Sequence, residues 1–359
     1  MCSSDLESPW SQDNIASVPP TRVSQLVVLM AVTAATGGCG RNNSSPTSPS
    51  PTNTSGISVP AGTLVFKTSP IDVDQIRFIT PLGNLNPPAH GIPTDHIYFH
   101  FADPNARETP EARRSEFRAP ADGVITTVFG GVGQETKVFV RQTSTFQYYI
   151  DHLIPSVALA RGMTLTAGQV LGTTGSAYGI DLGVINDTLT LPFVAPTRYI
   201  GDTLHADAPL KYYEEPVRSQ LYARVQRLGP EKDGRINYDI AGRLSGNWFV
   251  GGQTAAAAFA YDTYDPARVV ISVMVGAQQG VFGIGAGEPE PKDVSPATGR
   301  VTYTLSRTIT GPLPPTAGAG YMLVQMTDDT HIRLVRAHGR PTSRVRPARM
   351  RGSAYCAQR

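Results

Sequence analysis

The sequence has few cysteines, few charged residues and no hydrophobic run long enough to cross a bilayer. Cysteine occurs at Cys2, Cys39 and Cys356 only, outside the segments with strand-like patterns, so we expect no disulfide framework. Charged residues make up 17% of the chain and the formal net charge is +2, which gives no basis for a nucleic-acid partner. The apolar run at residues 23–36 is shorter than the roughly 20 residues of a transmembrane helix.

Glycine and proline are abundant instead, and they separate short runs of valine, isoleucine, tyrosine and phenylalanine. The chain has 35 glycines and 30 prolines among 359 residues. Short β-branched and aromatic runs between turn residues are typical of strands, and the length exceeds one domain of about 150 residues. The sequence therefore predicts an all-β protein with two domains, at residues 59–205 and 206–336, and a short linker helix at the start of the second.

The N-terminal region has the features of an export signal. Arg22 precedes the apolar run, which ends in the small residues before Cys39 and resembles the lipobox of bacterial lipoproteins, although Thr36 replaces the usual leucine. Residues 1–39 are therefore expected to be a signal and lipobox region that anchors the exported protein to a membrane through lipid on Cys39, with a simple cleaved signal peptide as the alternative. Residues 1–20 resemble translated adapter sequence and are set aside. Residues 40–58 are rich in serine, threonine and proline, which predicts a tether.

The C-terminal half offers fewer chemical signals. Residues 337–359 are basic and lack an apolar period, so the sequence predicts a disordered tail. Trp248 lies near Tyr261 and Tyr264 in sequence, and these aromatic residues are interpreted as core packing in preference to a carbohydrate-stacking platform. The second domain is predicted to be a small β-barrel or β-sandwich, because short strands alternate with glycine and proline turns.

Three motifs in the middle of the chain follow one another in a characteristic order. They are a turn at residues 119–124 (APADGV), a strand at 149–153 (YIDHL) and a hairpin at 162–172 (GMTLTAGQVLG). In this order they resemble the lysostaphin/LytM-type zinc endopeptidases, over residues 75–190. The resemblance implies a barrel-sandwich hybrid fold, zinc as cofactor and peptidoglycan or another envelope component as partner. The turn and the hairpin also resemble biotinyl and lipoyl carrier domains, so these two motifs alone indicate only the fold.

The metal motifs of that family are altered in this sequence. In the family, a His-x-x-x-Asp pair and a His-x-His strand contribute three zinc ligands. Here the first motif is replaced by two adjacent candidates, His90 to Asp95, which is one residue too long, and His96 to His100, which has histidine in place of the aspartate; these four residues are the predicted metal ligands. Zinc hydrolases need three protein ligands and one open position.

The His-x-His motif is replaced by Asp181-Leu182-Gly183, and glycine has no side chain that could bind zinc. The resemblance implies that His152 and Asp181 are the catalytic candidates. Three hypotheses remain: a cell-wall binding or regulatory protein whose zinc site is lost or altered, an active metallohydrolase with a rewired His/Asp site, and a periplasmic adaptor. All three place the protein in the periplasm or on the outer surface.

Overall fold

A computed structural model describes residues 56–102, 109–252, 254–275, 279–308, 316–337 and 354–359. The predicted signal region, Cys39 with its predicted lipid and most of the tether lie outside these residues. No helix in the described ranges combines the length and the apolar character needed to span a membrane.

Antiparallel strands make up most of the regular secondary structure in the described ranges, so the all-β prediction is confirmed. The first ten strands form one sheet, which we call the first unit. They are β1 (Phe78–Thr80), β2 (His96–His100), β3 (Glu116–Arg118), β4 (Gly123–Phe129), β5 (Thr136–Arg141), β6 (Phe146–Pro155), β7 (Thr164–Leu165), β8 (Val170–Thr174), β9 (Gly179–Asn186) and β10 (Ala206–Asp207). The main path of the sheet is β1-β2-β9-β6-β5-β4-β7, while β10 pairs with β9, and β8 pairs with β3 and β6.

The helices are short. The α-helices are α1 (Gly201–Leu204) and α2 (Val217–Tyr222), and α2 is the short helix that the sequence predicts after residue 206. Single turns of 3-10 helix lie at Val73–Gln75, Pro110–Arg113, Pro196–Arg198, Pro209–Tyr212, Pro291–Asp293 and Pro296–Thr298. Each of the last five begins with a proline, whose fixed φ suits a first helical position.

Strand β9 lies at the centre of the first unit, between β2 and β6. All eight of its residues are buried, as expected for a strand covered on both faces. Its register places Gly183 opposite His96 on one side and opposite Tyr149 on the other. Asp181 is likewise opposite Tyr98 on β2. The pairing of these three strands therefore brings the residues of the altered metal motifs together.

Eight further strands form a closed barrel, so the second domain is a barrel and not a sandwich. They are β11 (Gly246–Phe249), β12 (Ala255–Tyr261), β13 (Val269–Val273), β14 (Gly280–Gly283), β15 (Arg300–Thr308), β16 (Thr316–Met326), β17 (His331–Ala337) and β18 (Ala354–Gln358). Trp248 is fully buried in the barrel core, as the core-packing interpretation predicts. Closed barrels leave no free strand edge.

The prediction of a disordered C-terminal tail does not hold for residues 354–358. They form β18, which pairs with β17 and, through Gln358, with Phe249 of β11. The barrel would otherwise leave the edges of β11 and β17 unpaired, which is why a short segment with weak apolar patterning is ordered there. Cys356 is thus an exposed cysteine on a strand of the folded barrel, contrary to its expected place in a tail.

Residues 206–236 pack against the first unit. β10 pairs with β9, and isolated bridges join Tyr213 to Phe66 and Val225 to Ile79. Several apolar side chains of this segment belong to the core of the first unit: Ala206, Ala208, Leu210, Tyr213, Leu221, Val225 and Ile236. The predicted domain boundary at residue 205 therefore falls inside a hydrophobic core, and whether residues 59–205 fold alone stays a prediction.

The first unit and the barrel also contact each other directly. Thr263 donates a hydrogen bond of 2.9 Å to the carbonyl of Gly83, and the Asn247 amide donates one of 2.9 Å to the hydroxyl of Tyr199. Leu85 packs with Val270 in a small apolar cluster. Val270 alternates with the core residues of β13, so this cluster lies on the outer wall of the barrel.

Candidate functional site

His96 is the centre of a buried polar cluster made by β2, β6 and β9. We call this set the His96 cluster; its members are Asp95, His96, Tyr98, Tyr149 and Asp181. The Nδ1 atom of His96 lies 3.0 Å from Asp95 Oδ1 and 3.1 Å from the Tyr149 hydroxyl. Its Nε2 atom lies 2.9 Å from the Tyr98 hydroxyl and 3.4 Å from Asp181 Oδ2. Both ring nitrogens are therefore engaged inside the protein.

The carboxylate of Asp95 is engaged in the same way. Tyr149 donates a hydrogen bond of 2.8 Å to Oδ1, and Thr203 donates one of 2.7 Å to Oδ2. Burial disfavours ionisation of this carboxyl, but the hydrogen bond and charge of His96, with the bonds from Thr203 and Tyr149, keep the pKa of Asp95 below its ordinary value. Asp95 thus stays an ionised acceptor with both oxygens occupied.

Gly183 lies against the ring of Tyr149. A Cβ atom added at Gly183 would come within 3.0 Å of two ring carbons and the hydroxyl oxygen of Tyr149, closer than Cβ atoms of real proteins approach any atom. Tyr149 is buried, with 4% of its surface exposed. The phenol therefore occupies the space in which a histidine at position 183 would have to begin.

His152 lies at the end of the cluster, where β6 approaches β8. Its Nδ1 is 3.0 Å from Glu135 Oε2 and its Nε2 is 3.7 Å from Asp181 Oδ2. Burial lowers the pKa of this imidazole, but the charges of Asp181 and Glu135 and the bond to Glu135 outweigh burial and raise it. His152 also has a φ of +63°, the one positive value for a non-glycine residue in the described part of the chain. Such backbone conformations are strained and concentrate at functional sites.

Glu135 was not predicted from the sequence, although it holds His152. Its Oε1 accepts hydrogen bonds from the Ser176 backbone N–H at 2.6 Å and from the Ser176 hydroxyl at 2.7 Å. Burial opposes ionisation, but the bonds from His152 and Ser176 lower the pKa of Glu135 to about 2. The only sequence signal was its place beyond the glycine turn of the β4–β5 hairpin, which does not identify a contact to another hairpin.

Asp181 is the least satisfied member of the cluster. It is 5% exposed, and its Oδ1 atom has no hydrogen-bond partner among the described residues. Burial raises the pKa of this carboxyl, while the nearby His96 and His152 oppose the rise. A buried carboxylate oxygen without a donor is costly, so this atom is available to a water or to a donor group of a ligand.

The structure places the two remaining predicted metal ligands differently. The ring of His90 is 5.3 Å from that of His96, and burial together with the charge of His96 lowers the pKa of His90 to about 4. The ring of His100 instead stacks on Phe78 at 4.2 Å, and its Nε2 lies 3.0 Å from the Thr80 hydroxyl. His90 thus borders the cluster, and these contacts of His100 face β1.

The side chains present do not fit a zinc ion. Within the described ranges, no group of three His, Cys, Asp or Glu side chains could hold a metal ion. The donor atoms give the reason. The ring nitrogens of His96 and the carboxylate oxygens of Asp95 already lie within hydrogen-bond distance of groups of the protein, and Gly183 has no side chain that could bind a metal. Tetrahedral zinc needs three free protein donors around one point.

A cavity of about 750 Å³ lies between the first unit and the barrel, away from the His96 cluster. Leu189, Lys211, Arg227, Tyr238 and Tyr261 are among its lining residues. Its charged groups pair with neighbours: Lys211 with Asp207 at 2.5 Å, and Arg227 with Glu231 at 2.8 Å. The lining residues include none of the predicted catalytic residues or metal ligands.

Comparison with known proteins gives a fold-level likeness only. No protein-family model and no curated protein matches the chain. Lysostaphin from Staphylococcus simulans is 10% identical with a TM-score of 0.27, over 82% of this chain and all of that one (100%). Csd3 of Helicobacter pylori is 17% identical with a TM-score of 0.28, over 42% of this chain and 35% of Csd3. The M23 metalloprotease pseudoalterin is 15% identical with a TM-score of 0.25, over 42% and 88%. At TM-scores this low, the likeness assigns neither a family nor an activity.

Proposed function

We propose that this chain is an exported envelope protein whose lysostaphin/LytM-like unit binds peptidoglycan, or regulates a wall enzyme, without zinc-dependent cleavage. One observation carries the proposal: both nitrogens of His96 and both oxygens of Asp95 are engaged by groups of the protein itself. A metal ion would have to displace these bonds, each of which leaves a buried polar group unsatisfied when broken.

The groups available to a wall peptide lie beside the cluster. The side chains of Lys137, His152 and Glu135 are 30%, 32% and 37% exposed. They offer two hydrogen-bond donors and one acceptor, which suits the amide and carboxylate groups of a peptide. Lys137 is held in place by the ring of Tyr149, 4.1 Å from its Nζ, and by Asp151 at 3.6 Å.

The place of action follows from the N-terminal sequence. The lipobox-like segment ending at Cys39 and the tether at residues 40–58 would hold the first unit at a short distance from a membrane surface. A cell-wall partner is within reach of such a tethered domain, and we propose a periplasmic or outer-surface location with a lipid anchor.

A second candidate, a hydrolase with a rewired His/Asp site, is favoured by His152. Its imidazole lies between Glu135 and Asp181, its backbone is strained, and its raised pKa keeps it protonated over a wider pH range than an ordinary histidine. A positioned imidazole between two carboxylates is a plausible acid in proton transfer.

Three measurements on the full chain separate the two functions: co-sedimentation with purified sacculi, bound zinc per chain, and release of muropeptides. We expect sacculus binding, far less than one zinc per chain and no release. His152→Ala should weaken binding about tenfold, because it removes a donor beside the cluster. His331→Ala is the matched control, since His331 pairs with Asp328 on the barrel.

The hydrolase function is favoured over the binding function if the chain holds one zinc and releases muropeptides, and if His152→Ala or Asp181→Ala abolishes that release. A chain that neither sediments with sacculi nor changes the activity of wall hydrolases overturns the proposed function.

A further inference from the structure

Tyr149 and Gly183 lie opposite each other in the ladder between β6 and β9. Ring atoms of Tyr149 fill the space above the Cα of Gly183, so any side chain at position 183 meets the ring within 3.0 Å. Gly183 has no positive φ that would by itself require glycine. The requirement for glycine therefore comes from the tyrosine across the ladder and not from the backbone.

The hydroxyl at the same end of the phenol, itself 2.6 Å from the Cβ position of Gly183, joins Asp95 and His96. It is 2.8 Å from Asp95 Oδ1 and 3.1 Å from His96 Nδ1, and those two atoms are themselves 3.0 Å apart. The three polar groups therefore form a closed triangle of hydrogen-bond distances. The two side chains that the sequence predicts as metal ligands are in this way tied together by one oxygen atom of a third residue.

We propose that Tyr149 and Gly183 are a matched pair that replaces a metal centre: the ring excludes a ligand at position 183, and the hydroxyl is the common partner of Asp95 and His96. This inference deepens the proposed function and rests on it for its biological meaning. It predicts that two changes are needed to create a metal site here. A histidine at position 183 cannot be accommodated while Tyr149 keeps its ring, and removing the ring alone supplies no third ligand.

The steric half of the proposal is that the Tyr149 ring excludes a side chain at position 183. It is tested by Gly183→Ala in the full chain. In the parent we expect Gly183→Ala to lower Tm by about 5 °C or more, because the added methyl overpacks a buried site. In a Tyr149→Ala background the same change should lower Tm far less, since the ring is gone. Tyr149→Phe is the matched control, because it keeps the two ring carbons that lie 2.2 Å from the added methyl and should keep most of the penalty.

The chemical half of the proposal is that Tyr149 and Gly183 together prevent a metal site at Asp95 and His96. It is tested by zinc affinity, measured by competition with a chromophoric chelator. The parent, Gly183→His and Tyr149→Ala should each bind zinc weakly, whereas Tyr149→Ala with Gly183→His should bind at least about tenfold more tightly than the parent. Tyr98→Ala with Gly183→His is the control, because Tyr98 contacts His96 but not the space at position 183.

Two results overturn the matched pair: equal Tm penalties for Gly183→Ala with and without the Tyr149 ring, or one tightly bound zinc in the parent chain. The Tm comparison adds only one methyl group at position 183 in the parent, Tyr149→Phe and Tyr149→Ala backgrounds, so it decides the steric half even if the histidine variants fail to fold. Wall cleavage by a zinc-free parent would remove the proposed function and leave the matched pair standing.

Discussion

The two β units differ in what their strands enclose. The barrel closes on itself around an apolar core that includes Trp248, Phe259 and Ile271. The first unit has an apolar core as well, but its three central strands also hold the His96 cluster. Buried polar groups need complete hydrogen bonding, so they are costly to keep without a role. The function that we propose accordingly uses groups of the first unit.

The two units also differ in how their strands are covered. Eight strands complete the barrel, whereas the sheet of the first unit is an open path whose core is completed by residues 206–236. An open sheet must bury its face against another element. The first unit is therefore expected to depend on chain that follows the predicted boundary at residue 205.

The largest effect should come from cutting the chain at that boundary. A fragment of residues 56–205 loses seven buried apolar side chains of its core. Each is worth roughly 1.5–3 kcal/mol when large and less for alanine, and the sum is comparable to the about 5–15 kcal/mol that stabilises a whole domain. We expect no cooperative thermal transition for residues 56–205 and a cooperative one for residues 56–240. Equal melting of both fragments would support the boundary at 205.

Local patterning predicted much of the first unit. The strand predicted at residues 149–153 lies within β6, and the turn predicted at residues 119–124 leads into β4, which begins at Gly123. Turn glycines and period-two patterns are local features, so they are readable without tertiary structure.

Which residues meet in the site depends on the register between strands, and the sequence alone does not determine that register. The clash that makes Gly183 necessary comes from Tyr149 on another strand, and Glu135 meets His152 from a neighbouring hairpin. A shift of one residue would turn every side chain of a strand to the other face. His100 shows the same dependence on strand pairing. It shares a strand with His96, but it contacts Thr80 and Phe78 of the neighbouring strand β1.

A change in the barrel core should have the next largest effect. Trp248 is fully buried, donates a hydrogen bond of 2.8 Å to the carbonyl of Leu244, and lies 4.2 Å below the guanidinium of Arg359. Trp248→Ala should lower the free energy of unfolding by about 3–5 kcal/mol through the cavity it leaves. Urea denaturation measures this loss, and Trp248→Phe should cost less.

The same variant sharpens the comparison between the units. If the barrel only supports the first unit, folded Trp248→Ala protein should bind sacculi as the parent does at a temperature well below its Tm. A loss of sacculus binding without a loss of folded protein would instead assign a binding role to the barrel.

The smallest effect concerns Glu135, whose pKa is lowered to about 2 from 4.5 by its bonds to His152 and Ser176 against the opposing cost of burial. A carboxyl with a depressed pKa in the folded state contributes stability above its unfolded pKa, and this contribution is lost as pH falls towards the folded pKa. The affected window is therefore about pH 4.5 to 2. Because 37% of the side chain is exposed, solvent screening reduces the contribution to about 1 kcal/mol.

Glu135→Gln should accordingly lower the free energy of unfolding by about 1 kcal/mol at pH 7 and flatten its decline between about pH 4.5 and 2. Urea titrations of parent and variant across this pH range measure the difference between their free energies of unfolding. The contributions of the other carboxyl groups that titrate there cancel in this difference. Glu111→Gln, an exposed glutamate in the turn Pro110–Arg113, should leave the slope unchanged. If Glu135→Gln and Glu111→Gln give the same slope, His152 is not held by an ionised Glu135, and the bond that aims its imidazole at Asp181 must come from elsewhere.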